Sequence, residues 1–385
     1  MKKIIAMLLA LVMVLAFAAC APADGGETTK APDGGEATQG GSDLKVSVFW
    51  YDESDAYLST VRSALNAELD KLGVTYDNQY AGNNQSTQTD QIRTAVTGGS
   101  NLLVVNVVTS GSPDVAEEIL NIAGDIPVVF FNRAIGTEGK DVPVLEAHSN
   151  ACFIGTDAPE AGHLQGQMIG KYLVENYDEV DVNGDGVISY ALFKGDESNI
   201  EAIYRTQYAV EDANKVLAEA GKEPLKYFDP NNADGYQVDL NGQWSAQAAK
   251  DYMDTNFITY NEAAGNMIEL VICNNDGMAQ GAIASLQAQN YNLPGKHVVP
   301  VFGVDAIDAA IQLIADGAMT GTVKQDAEGM AKAIAGTIAS LKEGKTPVDA
   351  LAAQDDPRFS IAADCASKLY VAYAQIGRAS CRERV

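Results

Sequence analysis

The chain has little cysteine, little histidine and few basic residues. It contains five Cys, three His and 26 Lys and Arg against 52 Asp and Glu, which gives a formal net charge of -26 over 385 residues. So few cysteines, with no C-x-x-C pair, exclude a disulfide scaffold. The shortage of basic residues argues against nucleic-acid binding, because phosphates require Lys and Arg. At this length the chain can hold more than one domain.

Catalytic motifs are also scarce. His148, His163 and His297 stand in unrelated contexts, and neither G-x-S-x-G nor a Gly-rich phosphate loop occurs. Cys152 and Cys273 lie in apolar, strand-like runs, so we expect them to be buried free thiols. The sequence therefore does not favour an enzyme.

The first twenty residues, MKKIIAMLLALVMVLAFAAC, have the two lysines, the apolar run and the small residues of a secretory signal. Their ending, FAAC, is similar to a bacterial lipobox, which predicts a lipid anchor on Cys20. The alternative is an ordinary signal peptide that leaves Cys20 without a lipid. Residues 21–43 are rich in Gly, Pro, Thr and acids, so we expect a disordered tether, which favours the lipoprotein. The protein would then be extracytoplasmic and held at the cell membrane.

The other end of the chain changes character abruptly. Residues 375–385, QIGRASCRERV, are polar and basic without periodicity, and they resemble the translated read-through of a sequencing adapter. We therefore exclude residues 376–385, with Cys381, from the predicted fold. The alternative is a genuine basic tail.

Between these ends, short apolar runs alternate with segments of helical spacing. KVSVFWY, LLVVNVV, PVVFFN, VISYALF, IELVICNN and VVPVFGVD have the continuous hydrophobicity of strands that are buried on both faces of a parallel sheet. Helical spacing occurs at residues 57–72, 85–97, 113–123, 160–177, 199–220, 278–289 and 306–316. This alternation predicts an α/β protein with two doubly wound parallel sheets.

One loop has the spacing of a calcium site. In DVNGDGVISY, Asp181, Asn183 and Asp185 place oxygen atoms at alternate positions, and Gly186 permits the sharp turn, as in the first half of an EF-hand. The usual closing Glu is replaced by Leu192, and a strand follows instead of a helix. The local candidate ligands are Asp181, Asn183, Asp185, the carbonyl of Val187 and Ser189. The alternative is a surface turn that needs no ion.

Planar polar side chains follow the predicted strands, where α/β sheets bind their ligands. They include Asp52, Asp55, Asn132, Arg133, Asn199, Glu201, Arg205, Asn274, Asn275, Asp276, Asp305, Lys324, Gln325 and Asp326, with the aromatic residues Tyr57 and Trp244 nearby. Singly, each polar residue is better explained as a helix cap or turn residue, and Trp244 as part of the core. Their recurrence suits a neutral polyol, whose hydroxyls pair with amides and carboxylates and whose C–H faces pack on aromatic rings.

Together, these motifs resemble those of the bacterial galactose/glucose-binding proteins, which have the type I periplasmic-binding-protein fold and serve ABC sugar importers. The resemblance is carried by PVVFFN, FIGTD, the loop at Asp181, LFKGDE, VICNNDGMAQGAI, VPVFGVDA and GTVKQDA, and it covers nearly all of residues 44–375. It implies a monomer that closes two lobes on galactose or glucose and delivers the sugar to ABC permease subunits. Some members of that family also serve chemotaxis, so the resemblance offers a chemoreceptor as a further partner.

The resemblance also implies roles for single residues. It supplies Glu269 as the missing ligand of a structural Ca²⁺, and Ser189 stands where the family usually has Gln. The implied sugar contacts are Asp55, Tyr57, Asn132, Asn199, Glu201, Arg205, Trp244, Asn275, Asp305 and Gln325. Three of these depart from the family pattern, since Asn199 replaces His, Glu201 replaces Asp, and Gln325 replaces Asn.

The implied fold passes between its lobes three times through a three-segment hinge. The first lobe would comprise residues 44–155 and 325–368, and the second residues 156–324 and 369–375. Because of the three departures, a different sugar or polyol, such as a pentose or a furanosyl signal, is the alternative ligand. A sugar-responsive repressor shares the fold, but it would need a basic N-terminal helix-turn-helix, which this chain does not have.

Overall fold

The computed structural model describes residues 44–137 and 139–377. The predicted signal, the tether with Cys20, and Cys381 lie outside the described residues. Within the described ranges, none of the helices combines the length and the apolar content of a membrane-spanning segment.

The first lobe is built around a seven-stranded sheet. Its strands are β1 (Lys45–Trp50), β2 (Thr75–Tyr80), β3 (Leu102–Val105), β4 (Val128–Phe131), β5 (Ala151–Gly155), β12 (Phe359–Ile361) and β13 (Lys368–Val371), and they lie in the order β12-β13-β5-β4-β3-β1-β2. All neighbouring pairs are parallel except β12 with β13. The helices of this lobe are α1 (Ala56–Leu72), α2 (Gln85–Thr97), α3 (Pro113–Ala123), α4 (Asp141–Ala147), α10 (Ala327–Lys342) and α11 (Pro347–Ala352). Helices α1 and α10 share one apolar core with the sheet, and α2, α3 and α4 share another.

The second lobe repeats this arrangement. Its strands are β6 (Ser189–Lys194), β7 (Lys226–Tyr227), β8 (Gln237–Val238), β9 (Leu270–Cys273), β10 (Val301–Asp305), β11 (Gly321–Lys324) and β14 (Ala374–Gly377), and they lie in the order β14-β11-β10-β9-β6-β7, with β8 also paired to β6. Its helices are α5 (Ala158–Val180), α6 (Ile200–Glu219), α7 (Ala246–Thr259), α8 (Asp276–Ala288) and α9 (Asp308–Ala315), with a 3₁₀ turn at Glu262–Ala264. Only β14 pairs antiparallel in this sheet of the described chain. The prediction of an α/β protein with two doubly wound parallel sheets is therefore confirmed.

Cys152 and Cys273 are free thiols in strands β5 and β9, and both are fully buried. Burial raises the pKa of Cys152 to about 12, because a thiolate would be poorly solvated there. The expectation of buried free thiols is confirmed at both positions.

Strand β2 was not predicted from the sequence. Its residues, TYDNQY, are polar and only partly buried, because β2 lies at the edge of the sheet with β1 as its sole neighbour. An edge strand loses the continuous hydrophobicity by which central strands are recognised.

The described chain passes between the lobes at residues 156–157, 325–326 and 372–373. The third crossing lies later than predicted, because Leu369 and Tyr370 pair with β5, and Val371 pairs with β12, in the first sheet. Strand β14 then pairs with β11 and includes Ile376 and Gly377. These two residues were assigned to the excluded tail, and that boundary is corrected here, since both take part in the second sheet.

Helices α5 and α6 approach closely enough that their contact requires glycine. Gly162, Gly166 and Gly170 recur at every fourth position of α5 and face α6. A Cβ atom on Gly166 would lie 2.5 Å from the carbonyl oxygen of Tyr208 and 2.8 Å from the Cβ of Asp212. Neither atom can rotate away, so the two backbones would have to separate.

Gly166→Ala should therefore lower the free energy of unfolding by about 1–3 kcal/mol through overpacking, although alanine is the better helix former. Denaturant unfolding monitored by circular dichroism measures this change. The control is Gly336→Ala in α10, where the added Cβ would meet the end of the Gln354 side chain at 2.9 Å, which can shift. Equal effects of the two substitutions would contradict the close-contact explanation.

Candidate functional site

A cavity lies where the carboxyl ends of the two sheets face each other. It is a small cavity that is partly open to solvent. Its walls comprise Tyr51, Asp55, Tyr57, Asn132, Arg133, Asn199, Glu201, Arg205, Trp244, Asn275, Asp305 and Gln325. All ten predicted sugar-contact residues are thus brought together in one place.

The structure adds Tyr51 and Arg133, which were not among the predicted contacts. The guanidinium carbon of Arg133 lies 4.0 Å from the centre of the Tyr51 ring, and the Tyr51 hydroxyl donates to Asp55 Oδ2 at 2.7 Å. Both residues directly follow apolar strand runs, the position from which Asn132 was selected. Arg133 was named among the side chains that follow the predicted strands but was not carried over as a contact, whereas Tyr51 was counted within the KVSVFWY run.

Three of the cavity residues are also helix N-caps. The Oδ1 atoms of Asp55, Asn199 and Asn275 accept hydrogen bonds from main-chain N–H groups at 2.8, 3.1 and 2.8 Å, at the starts of α1, α6 and α8. The capping explanation considered from the sequence is therefore correct, and it does not exclude a ligand contact. A cap fixes one oxygen of the side chain and so holds the other polar atom in a defined direction.

Unusual backbone angles turn other side chains toward the cavity. Asn132, Trp244 and Asp305 have positive φ angles of 61°, 57° and 123°. Such angles in residues other than glycine cost on the order of 1–3 kcal/mol each, and they concentrate at functional sites.

The position of the Trp244 ring depends on Gly195, which directly follows β6. A Cβ atom on Gly195 would lie 2.1 Å from Cδ2 of the indole. Trp244 is only 9% exposed, and its ring lies 5.6 Å from the guanidinium carbon of Arg205. The second lobe thus contributes a fixed aromatic ring to the cavity, opposite Tyr57 of the first lobe.

Several buried polar atoms of the cavity have no hydrogen-bond partner among the described residues. They are the Tyr57 hydroxyl, Glu201 Oε2, Arg205 Nε and Gln325 Nε2. Each of these residues is at most 5% exposed. Leaving such groups unpaired costs about 1–3 kcal/mol each, so the cavity is built for a ligand with several donors and acceptors.

The electrostatic environment disfavours additional negative charge. Burial raises the pKa of Glu201 and raises that of Asp305 well above its usual range, although Arg205 opposes both shifts. Burial also raises the pKa of the neighbouring Asp276. Because burial already makes it costly to ionise these carboxyl groups, a further buried negative charge would be unfavourable. An uncharged ligand therefore fits the cavity better than an anion.

Hydrogen bonds join the described parts of the two lobes across the cleft, so the structure is closed; three of them come from Arg133, Asn83 and the Ala134 N–H, which donates to the Glu201 carboxylate. Arg133 Nη2 donates to Asp196 Oδ2 at 3.2 Å, and Asn83 Nδ2 donates to the carbonyl oxygen of Asn241 at 2.8 Å. Arg133 is anchored in its own lobe by a bond from Nη1 to the carbonyl oxygen of Val108 at 2.7 Å. This arrangement can enclose a small molecule between two rigid walls.

The predicted calcium loop folds around its own side chains. Asp181 Oδ1 accepts from Gly184 N–H at 2.8 Å and Oδ2 accepts from Gly186 N–H at 2.9 Å, while Asn183 Oδ1 accepts from Asp185 N–H at 2.8 Å. Gly186 has the positive φ, 82°, that the sharp turn requires.

Glu269, next to strand β9, hydrogen-bonds to the backbone of the loop, and its role as a calcium ligand stays a prediction. Its Oε1 accepts from Val182 N–H and its Oε2 accepts from Ser189 N–H, both at 2.9 Å. The Ser189 hydroxyl donates to the carbonyl oxygen of Met267 and is already engaged. Burial raises the pKa of Glu269, a cost that a bound cation would offset.

These oxygen donors fit a hard cation such as Ca²⁺. The same N–H bonds also satisfy a turn without an ion. Across residues 44–137 and 139–377, no three acidic, His or Cys side chains form a ready-made metal cluster. The loop is therefore compatible with both interpretations.

Comparisons with known proteins agree with this architecture. Residues 46–346 match the model of the periplasmic binding protein domain. The chain is 32% identical over 314 residues to the D-galactose/methyl-galactoside binding periplasmic protein of Haemophilus influenzae, covering 80% of this chain and 84% of that protein.

Solved structures show the same fold. An ABC transporter solute-binding protein from Clostridium phytofermentans with bound β-D-glucose has a TM-score of 0.65 and 19% identity, covering 88% of this chain and 95% of that one. A galactofuranose-binding protein has a TM-score of 0.64 and 18% identity, covering 88% of this chain and 96% of that one.

Fold and cavity define a two-lobed solute-binding protein. The chain belongs to the periplasmic binding protein family, whose members act outside the cytoplasm. The family resemblance drawn from the motifs is confirmed, as is the expectation of a binding protein and not an enzyme.

Proposed function

We propose that the protein captures a hexose, galactose or glucose, in the cavity between its lobes and delivers it to the membrane subunits of an ABC importer. The observation that carries this proposal is the set of unpaired donors and acceptors on Tyr57, Glu201, Arg205 and Gln325. Each hydroxyl of a sugar both donates and accepts, so one pyranose offers partners to all four groups.

The cavity's other features support an uncharged, cyclic polyol. Tyr57 and Trp244 line it from opposite lobes and offer aromatic surface to the C–H faces of a sugar ring. The pKa shifts of Glu201 and Asp305 disfavour an anion. The relative in Haemophilus influenzae is a D-galactose/methyl-galactoside binding protein, which supports a hexose for this chain.

A different sugar or polyol is the second candidate. It is favoured by the substitutions at Asn199, Glu201 and Gln325, all of which line the cavity. The structural relatives include proteins that bind galactofuranose and β-D-glucose, so this fold accepts rings of different size.

Calorimetric titration with glucose, galactose, xylose, arabinose and myo-inositol tests the proposal. We expect micromolar or tighter binding of glucose or galactose, and Glu201→Gln should weaken it about 10- to 100-fold, because hydrogen bonds to a charged group contribute ~1.5–3 kcal/mol. Glu219→Gln, exposed at the other end of α6, is the matched control and should leave binding unchanged. If the protein binds xylose, arabinose or myo-inositol but neither glucose nor galactose, the second candidate is favoured.

The loop at Asp181 is proposed to hold a structural Ca²⁺ with Asp181, Asn183, Asp185, the Val187 carbonyl and Glu269, and with Ser189 acting through a water. The ion would offset two of the three negative charges on Asp181, Asp185 and Glu269, and it would join the loop to the start of β9. Its role is to stabilise the second lobe, since the loop lies outside the set of residues that line the cavity.

Calcium should therefore raise the unfolding temperature, by an amount equivalent to about 2.7 kcal/mol when its concentration is 100 times the dissociation constant. Differential scanning fluorimetry with and without a chelator measures this increment. Glu269→Gln should abolish most of it, whereas Glu179→Gln, exposed near the end of α5, should retain it. If calcium does not change the unfolding temperature of the wild-type protein, the loop is a turn that needs no ion.

We also propose that Cys20 carries a lipid that holds the protein at the outer face of the cell membrane. The support is the FAAC sequence and the acidic, Gly-rich stretch after it. In cells fed an alkyne-bearing fatty acid, the wild-type chain should be labelled and should sediment with membranes. Cys20→Ala should lose the label and Cys381→Ser should keep it, while an unlabelled wild-type chain would exclude the anchor.

A further inference from the structure

The three crossings between the lobes each contribute one polar side chain to a single buried cluster. Thr156 belongs to the first crossing, Gln325 to the second and Tyr373 to the third. All three meet at or next to the guanidinium of Arg205, which comes from α6. None of the four residues is more than 7% exposed, so water cannot substitute for the bonds between them.

The bonds of this hinge cluster have defined directions. Arg205 Nη2 lies 3.1 Å from Gln325 Oε1 and 3.3 Å from the Tyr373 hydroxyl. Because a guanidinium only donates, the Tyr373 oxygen accepts from Arg205, and its own proton is left for Thr156 Oγ1 at 2.8 Å. The first and third crossings are thus joined through one phenol.

The same guanidinium also faces the cavity. Its Nη1 donates to the carbonyl oxygen of Asn274 at 2.9 Å and lies 3.9 Å from Asp305 Oδ1, and its Nε has no partner within residues 44–137 and 139–377. Nε is therefore the donor that remains for a ligand. Nη2 donates to Gln325 and Tyr373 of the crossings, whereas Nε is left for a ligand in the cavity. A ligand and the hinge would therefore contact the same rigid, planar group.

We infer that Tyr373 is a positioning residue, which holds Arg205 for the ligand and couples occupancy of the cavity to closure of the lobes. Closure changes the backbone angles of the crossing segments, so bonds between different crossings distinguish the closed from the open arrangement. The ligand half of this inference rests on the proposed function, whereas the hinge half does not.

A purely structural role for Tyr373 is the competing explanation, because its ring packs with Ala161, Val304 and Val323. Tyr373→Phe separates the two roles, since it keeps the ring and removes only the hydroxyl. The matched control is Tyr252→Phe, which removes a hydroxyl that donates to the carbonyl oxygen of Val238 at 2.9 Å within the second lobe.

Two measurements on each variant test the inference: the radius of gyration by small-angle X-ray scattering, and the dissociation constants for D-glucose and D-galactose by calorimetry. For Tyr373→Phe we expect a larger radius of gyration than wild type at each sugar concentration below saturation. Binding should be weaker by about three- to tenfold, the free-energy equivalent of about one hydrogen bond. Tyr252→Phe should match wild type in both measurements.

Changes at Thr156 provide an independent check. Thr156→Val, which removes the acceptor, should reproduce the more open scattering profile, and Thr156→Ser, which keeps it, should restore the wild-type profile. The double variant Thr156→Val, Tyr373→Phe should open the protein no further than Tyr373→Phe alone, because both changes break the same connection.

If the scattering profile of Tyr373→Phe equals that of the wild-type protein both with and without sugar, the inference is overturned. This holds even if the substitution lowers the unfolding temperature. If the wild-type protein binds neither sugar, the hexose proposal fails separately. The scattering of the sugar-free variants then decides the hinge inference: a profile more open than that of Tyr252→Phe supports it, and an identical profile overturns it.

Discussion

A buried guanidinium organises this molecule. Arg205 is 3% exposed, and a positive charge at such a position is tolerated only when its N–H groups find acceptors and a carboxylate lies near. The acceptors come from Asn274, Gln325 and Tyr373, and the carboxylate from Asp305. These groups belong to separate strands and crossings. Satisfying one charge therefore fixes the relative positions of the second sheet, the hinge and the cavity.

The parallel sheets explain why the cavity is polar. In a doubly wound sheet, each strand end is followed by the start of a helix, where main-chain N–H groups lack partners and the helix dipole is positive. Asp55, Asn199 and Asn275 satisfy those N–H groups as caps, and Glu201 lies in the first turn of α6. Two sheets that face each other bring these helix starts together. A site rich in carboxylates and amides is thus a consequence of the fold, and its selectivity must come from details of individual side chains.

The sequence predicted central strands and most long helices, because continuous apolar runs and helical spacing are strong local signals. It did not predict β2, whose polar residues reflect an edge position that is known only once the strand order is known. Nor did it identify the hinge role of Tyr373, which depends on contacts with Thr156 and Arg205, 217 and 168 residues away along the chain. The ten predicted contacts came from the family resemblance, and most of them also follow predicted strands; Arg133 was named at a strand end but not as a contact, and Tyr51 was counted within the KVSVFWY run.

The positions that depart from the galactose/glucose-binding pattern are not equivalent in this structure. Asn199 caps α6, so one of its polar atoms is committed to the backbone. Glu201 and Gln325 instead each keep a buried atom without a partner, Oε2 and Nε2. A ligand must supply the partners of these two atoms, and both side chains are one methylene longer than the residues they replace. Differences in ligand preference between this protein and its galactose-binding relatives should therefore originate at Glu201 and Gln325, where reach and free hydrogen-bonding capacity change together.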